Sequence, residues 1–353
     1  MLDLNEEQVK RQLLKDYYKL KEILKIETDK EKMIILINDI RAINTLLEHH
    51  LLIDDYEYGY NKLQREYTQD FKRAYFWDKV YYQDYIFSMT REYDVFKEIY
   101  HASKKKIKNI KLNNNVSQNI NKEIPISEYY DALFNVPFGD FKEYIISQVK
   151  GKKMCIINNH FIDNNAIING TCINLQSLNK TYHLVINISK YSYLSMIASI
   201  HELAHTYIEN KYNISTPFSI YREVIPYFNE FKTMDYFKSL NIGRIDTLEN
   251  WRGILQNLVI CLNSSFKKII KNPDDRFFYV IGVQLGYYFY EIYKQDKEKC
   301  EKLVNYFLSH INYYDPIRLL RIMNINVEEF TDGKVIKRMI KNYIGECKNS
   351  QFS

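Results

Sequence analysis

Ser199-Ile200-His201-Glu202-Leu203-Ala204-His205-Thr206 is the stretch on which the reading of this chain turns. Leu194, Ile197 and Ile200 lead into it at helical spacing, which predicts a helix through the segment. With 3.6 residues per turn, His201 and His205 leave that helix from one face, a turn apart. Two imidazoles so placed can reach one tetrahedral Zn²⁺ at Zn–N distances of ~2.0–2.1 Å. Glu202 lies about 100° further round the helix, where it can take a proton from a metal-bound water without ligating the metal.

A zinc site that activates water needs a third protein ligand. The segment Tyr221-Arg222-Glu223-Val224-Ile225-Pro226-Tyr227-Phe228-Asn229-Glu230 offers one in Glu223, a carboxylate in an apolar setting. Asn213 and Pro217 mark a turn between the two helices, so the chain can reverse and bring Glu223 over the histidine pair. Pro226 is compatible with a helix that begins near Arg222, because first-turn N–H groups have no intrahelical acceptor. Glu230 falls two turns after Glu223 on the same face, placed to accept a hydrogen bond from a ligand histidine and fix its tautomer.

Working outward, the rest of the chain reads as mostly helix. Gly (10) and Pro (6) are scarce among 353 residues, which favours long helices over a loop-rich β fold. Leu13, Leu14, Tyr17, Leu20, Ile23 and Leu24 recur at helical spacing, as do Ile34, Ile35, Ile37, Ile40, Ile43, Leu46 and Leu47. These stripes, and the aromatic-rich stretch from Tyr67 to Tyr100, are core positions. A polar break of asparagines from Asn113 to Asn121 divides a helical region, 1–120, from a catalytic region, 121–353. Helix is expected over 126–150. Met154–Ile157 and Tyr182–Ile188 read as short strands of a small sheet, separated by turns at Asn164-Asn165 and Asn169-Gly170. Further helices are expected over 191–211, 222–240, 246–270, 275–295, 298–311 and 315–323.

Composition narrows the function classes. The net charge of +5 comes from 49 basic and 44 acidic side chains that are interspersed, which excludes a nucleic-acid-binding footprint. The run Lys104, Lys105, Lys106, Lys108 and Lys111 reads as a solvated helix end or a linker. Cys155, Cys172, Cys261, Cys300 and Cys347 are odd in number and contain no CxxC pair, so reduced thiols in a cytoplasm are expected. Residues 1–12 lack the apolar core of a secretory signal, and no apolar run of ~18 residues suggests a membrane span. His49, His50, His101, His160, His183 and His310 read as structural or surface residues. Nothing in the sequence sets an oligomeric state.

The zinc motifs resemble those of the thimet-oligopeptidase and oligoendopeptidase F group of zinc peptidases. In that group HExxH is followed, on the next helix, by a zinc-binding Glu in a motif like E-V-x-x-x-F-N-E, which Glu223 to Glu230 matches. Tyr182 to Asn187 is similar to the group's strand along the cleft, and Gly282-Val283-Gln284-Leu285-Gly286-Tyr287-Tyr288-Phe289-Tyr290 to its G-x-x-x-G-Y-Y-x-Y stretch. Asp315 to Leu320 resembles its P-x-x-L-L turn. The likeness covers about 150 to 330. Ala204 stands where the group has Gly, Val283 where relatives often have Tyr, and no His lies just before Gly282, where some relatives place one. The spacing from His205 to Glu223 is also shorter, and so is the whole chain.

The resemblance implies a mainly α (α+β), two-lobed zincin-type metallopeptidase with a small antiparallel sheet beside the active-site helix. It implies one Zn²⁺ per chain on His201, His205 and Glu223, Glu202 as general base, and peptides as substrates. Tyr287 and Tyr290 are the phenols it puts at the oxyanion, with Tyr279 a further candidate. The strand at 182–188 would take substrate backbone as an added strand. A protease dedicated to one peptide or leader is an alternative, as is a non-catalytic metal-binding regulatory protein on the same fold.

Overall fold

The computed structural model describes residues 6–46, 93–108, 110, 112, 122–150, 154–158, 169–178, 180–187, 191–212, 223–263, 266, 275–310 and 316–350. The aromatic stretch at 67–92, the break at Asn113–Asn121, the turns at Asn164-Asn165 and Asn213–Pro217, and His49, His50 and His160 lie outside them. Helices α1 (Glu6–Ile26), α2 (Lys30–Leu46), α3 (Tyr93–Ile107), α4 (Ile126–Phe134) and α5 (Asp140–Lys150) come first. Strands β1 (Met154–Asn158), β2 (Asn169–Leu175) and β3 (Lys180–Asn187) follow, a short 3-10 turn at Gln176–Leu178 joining the last two. Then come α6 (Tyr193–Tyr212), α7 (Val224–Ser239), α8 (Arg244–Asn263), α9 (Asp275–Gln295), α10 (Lys297–His310), α11 (Pro316–Ile322), α12 (Glu328–Thr331) and α13 (Lys334–Ser350). The protein is mainly α-helical, as its composition predicts.

Helix α6 is the centre of the molecule. Every residue from Ser192 to Leu203 except Glu202 is buried, the pattern of a helix covered on all sides. It packs on α4, α5, α7, α8, α10, β2 and β3. Its start is held by a reciprocal cap: Ser192 N–H donates to Ser195 Oγ, and Ser195 N–H to Ser192 Oγ, both at 3.0 Å. Such a cap is worth about 1 kcal/mol. Ser199, fully buried, is satisfied by the Ser195 carbonyl and the Tyr129 hydroxyl, each at 2.8 Å. The serines at the start of this apolar helix are therefore matched within the core, which holds that end of the motif helix in one rotational setting.

The sheet corrects two expectations. Its order is β1-β3-β2, with β1 parallel and β2 antiparallel to β3, so it is mixed and not antiparallel. Asn169-Gly170, read as a turn, opens β2, where Gly170 pairs with Val185. Local turn propensity is overridden there by pairing to the Val- and Ile-rich β3. β3 is also the central strand. Both of its backbone edges are used, so it cannot accept a substrate strand. β2 and β3 lie against α6, which leaves the sheet beside the motif helix as expected.

Two hydrophobic cores organise the described residues. The smaller joins α1 and α2 through Leu13, Tyr17, Leu20, Leu24, Ile37, Ile40 and Ile43 to Leu175 of β2. Buried carboxylates fix that hairpin to the β2–β3 connection: Lys180 Nζ lies 2.7 Å from Asp16 Oδ1, and Ser177 N–H donates to Asp39 Oδ2 at 2.9 Å. The larger core contains α3 through Phe96, Ile99, Tyr100 and Ile107, together with α4 to α13. Lys104, Lys105 and Lys106 occupy the last turn of α3, where the helix dipole favours cations. Helix α13, which the sequence reading did not delimit, closes on α3, α8 and α9.

Helices α7 and α9 make the tightest pair, through two glycines. A Cβ on Gly286 would meet Val224 O at 2.6 Å, and one on Gly282 would meet Glu223 Cβ at 2.3 Å. Each glycine costs the helix about 1 kcal/mol relative to Ala, a cost offset by the close packing. Further along α7, Lys232 is enclosed by the rings of Phe138, Phe228 and Tyr293, its Nζ 4.4, 4.9 and 4.7 Å from their centroids. Burial pulls its pKa down to about 8.

Candidate metal centre

His201 and His205 face outward from α6 on one side, and Glu223 comes to them from the start of α7. Glu223 is the residue just before that helix, in αR geometry with φ −87°. A carboxylate there is favoured by the positive end of the helix dipole. Pro226 sits in the first turn, as its missing N–H requires. His201 Nε2 and His205 Nε2 are 3.2 Å apart. Glu223 Oε2 is 3.3 Å from His201 Nε2, and Glu223 Oε1 is 3.6 Å from His205 Nε2. Ligands of one tetrahedral ion with bonds of ~2.0–2.1 Å stand ~3.3–3.4 Å from each other. The three observed separations bracket that value, so the donor set fits zinc in number, type and spacing.

The surroundings are charged to match. His201 Nδ1 lies against Glu230 Oε1, the partner that the two-turn spacing along α7 predicts. The other Glu230 oxygen accepts from Asn250 Nδ2 of α8 at 2.8 Å. Burial disfavours charge on His201, but Glu230 and Glu223 outweigh it and raise the imidazole well above its usual pKa. An environment that holds a positive charge against desolvation also suits a divalent cation. Both histidines are buried, whereas Glu202, next to His201 in the chain, is half-buried. Ala204, between the histidines, is fully buried.

Two members of the site were not singled out from sequence. Tyr227 packs edge-on against His201, with centroids 5.0 Å apart and planes at 79°. Its signal was present, since 223, 227 and 230 share one helix face. Asn250 had none, because it arrives from another helix.

The structure corrects the reading of two phenols. Tyr287 is fully buried against Phe231 and Trp251, and its hydroxyl accepts from Asn342 of α13. Tyr290 packs on Phe231 and Tyr287, in the neighbourhood of Asp235. Asp235 is three turns from Glu223, about 18 Å along α7. Neither phenol reaches the ligands, because 287 and 290 lie on the part of α9 that packs further along α7. Burial raises both phenol pKa values, followed by Glu291 for Tyr287 and Asp235 for Tyr290. Tyr279, two turns earlier, is on the metal side: its ring is 6.0 Å from that of Tyr227 and it is half-buried. Of the other histidines, His310 stacks on Tyr306 and His101 lies beside Phe266, both away from the centre.

No family model matches the sequence, and no curated protein matches it. A crystal structure of a protein from Bacillus anthracis str. Ames, described as an oligoendopeptidase F, is similar to this chain, with 14% identity and a TM-score of 0.45. The similarity covers 91% of this chain and 63% of that protein. Cys261 and Cys300 are buried and Cys347 is half-buried. No helix among the described residues is long and apolar enough to cross a membrane.

Proposed function

We propose that the chain is a zinc-dependent metallopeptidase that hydrolyses oligopeptides. The observation that carries this reading is the convergence of His201, His205 and Glu223 at ligand spacing, with the half-buried Glu202 beside His201 in the chain. One Zn²⁺ would be held by those three residues; when bound, such an ion supplies Lewis-acid polarisation of a carbonyl and acidifies water. Glu202 takes the proton of the attacking water and returns it to the leaving amine, work that contributes typically 10²–10⁴-fold. Glu230, fixed by Asn250, holds the His201 ring in the tautomer that leaves Nε2 free to ligate. Tyr279, whose ring packs near that of Tyr227, would donate to the developing oxyanion, a role worth about 3 kcal/mol where it is filled. Substrate backbone cannot add to β3, so it pairs at a sheet edge or is held by side chains.

The test is bound zinc and peptide cleavage measured together for wild type and Glu202→Gln, on a library of short peptides. One zinc in both proteins with cleavage only in the wild type supports the reading. Absence of zinc binding by the wild type in the presence of added zinc overturns it.

A further inference from the structure

At the metal centre, α9 crosses the start of α7 at a residue that has no side chain. A Cβ on Gly282 would lie 2.3 Å from Glu223 Cβ, 3.1 Å from its carbonyl carbon and 3.2 Å from its Cα. Ordinary carbon contacts are ~3.5–4.0 Å, so one added methyl must move Glu223 and α9 apart by more than about 1 Å. Metal ligands tolerate only about ±0.2 Å. Gly286, one turn further, continues the seam but faces Val224 O, Phe228 N and Tyr227 Cβ, not the ligand itself. The backbone of α9 at Gly282 is thus the wall against which the Glu223 side chain is set.

We propose that Gly282 is a positioning residue of the metal centre, its missing Cβ fixing how far Glu223 advances toward His201 and His205. This rests on the reading of those three side chains as metal ligands. Gly282→Ala, the smallest change available, then costs zinc affinity out of proportion to its cost in stability.

Zinc affinity by competition with a chromophoric chelator, and thermal midpoints of the zinc-free proteins, are measured for wild type, Gly282→Ala, Gly286→Ala and Gly253→Ala. Gly253 has open space where a Cβ would stand and serves as the neutral control. Gly282→Ala is expected to weaken zinc by about 100-fold, the upper end for lost ligand support. Gly286→Ala should lose comparable stability but weaken zinc by no more than about tenfold, and Gly253→Ala should leave it unchanged. Equal zinc losses in the two seam variants, or wild-type affinity in Gly282→Ala, overturn the assignment while leaving the ligand set intact. A wild type that binds no zinc overturns the ligand reading and this inference with it. If Gly282→Ala alone does not fold, Gly282→Ala/Glu223→Gly, which removes the nearest opposing atom and leaves contacts of 3.1 and 3.2 Å, is expected to recover helical signal by circular dichroism; a double variant with no gain over Gly282→Ala overturns the steric argument.

Discussion

Glu230 is where the site can be weakened without touching a ligand. Its two oxygens have different tasks: Oε1 lies against His201 Nδ1, and Oε2 accepts from Asn250 Nδ2 at 2.8 Å. Glu230→Gln keeps the size but leaves one acceptor for two donors. Whichever way the new amide turns, its NH₂ faces either the imidazole N–H or the Asn250 amide. Asn250 can turn over only by giving up its contact with Met234 Sδ at 3.6 Å. A buried donor left without an acceptor costs about 1–3 kcal/mol. Loss of a partner behind a ligand histidine typically costs 10–100-fold in metal affinity, or about 1.4–2.8 kcal/mol, so two independent routes give the same range. The assay is zinc titration of metal-stripped protein against a chromophoric chelator, with circular dichroism to show that the fold is kept. Glu230→Gln is expected to bind one zinc 10–100-fold more weakly, and Glu230→Ala to reach the weaker end. Affinity within about threefold of wild type would refute the claim that Glu230 sets the His201 ring.

Glu202→Gln should retain zinc and lose at least about 100-fold in kcat on a fluorogenic peptide; equal turnover would remove Glu202 from the mechanism. Tyr279→Phe should lower kcat with zinc affinity unchanged, whereas Tyr290→Phe should leave kcat within about threefold of wild type, the reverse order restoring the reading from sequence. Tyr287→Phe removes the Asn342 bond and should cost about 1 kcal/mol of stability without changing kcat, as measured by urea denaturation. Lys232 titrates at about 8 in the fold and near 10.4 when unfolded, so between those values the unfolded chain binds more protons and stability rises with pH, by at most about 3 kcal/mol. The aromatic cage favours the charged form and reduces that figure. Lys232→Met should be more stable than wild type at pH 7, with the gap closing by pH 10; a gap independent of pH would show that Lys232 is not held by burial.

The sequence by itself determined the features that depend on local periodicity. HExxH on an apolar stripe gives two imidazoles on one helix face wherever that helix is placed. The interval from Glu223 to Glu230 puts a second carboxylate on the ligand face, and the scarcity of Gly and Pro makes the chain helical. The tertiary structure decided what depends on partners distant in sequence. Strand order made β3 central and closed it to substrate, because pairing direction is set by the partner strand and not by the residues of either alone. The angle and depth at which α9 crosses α7 turned Tyr287 and Tyr290 into the core, although their spacing within a G-x-x-x-G-Y-Y-x-Y stretch is unchanged. The same crossing brought Gly282 against Glu223, and α8 brought Asn250 to Glu230. Helical periodicity fixes which residues share a face, but what that face meets is set by how the helices pack.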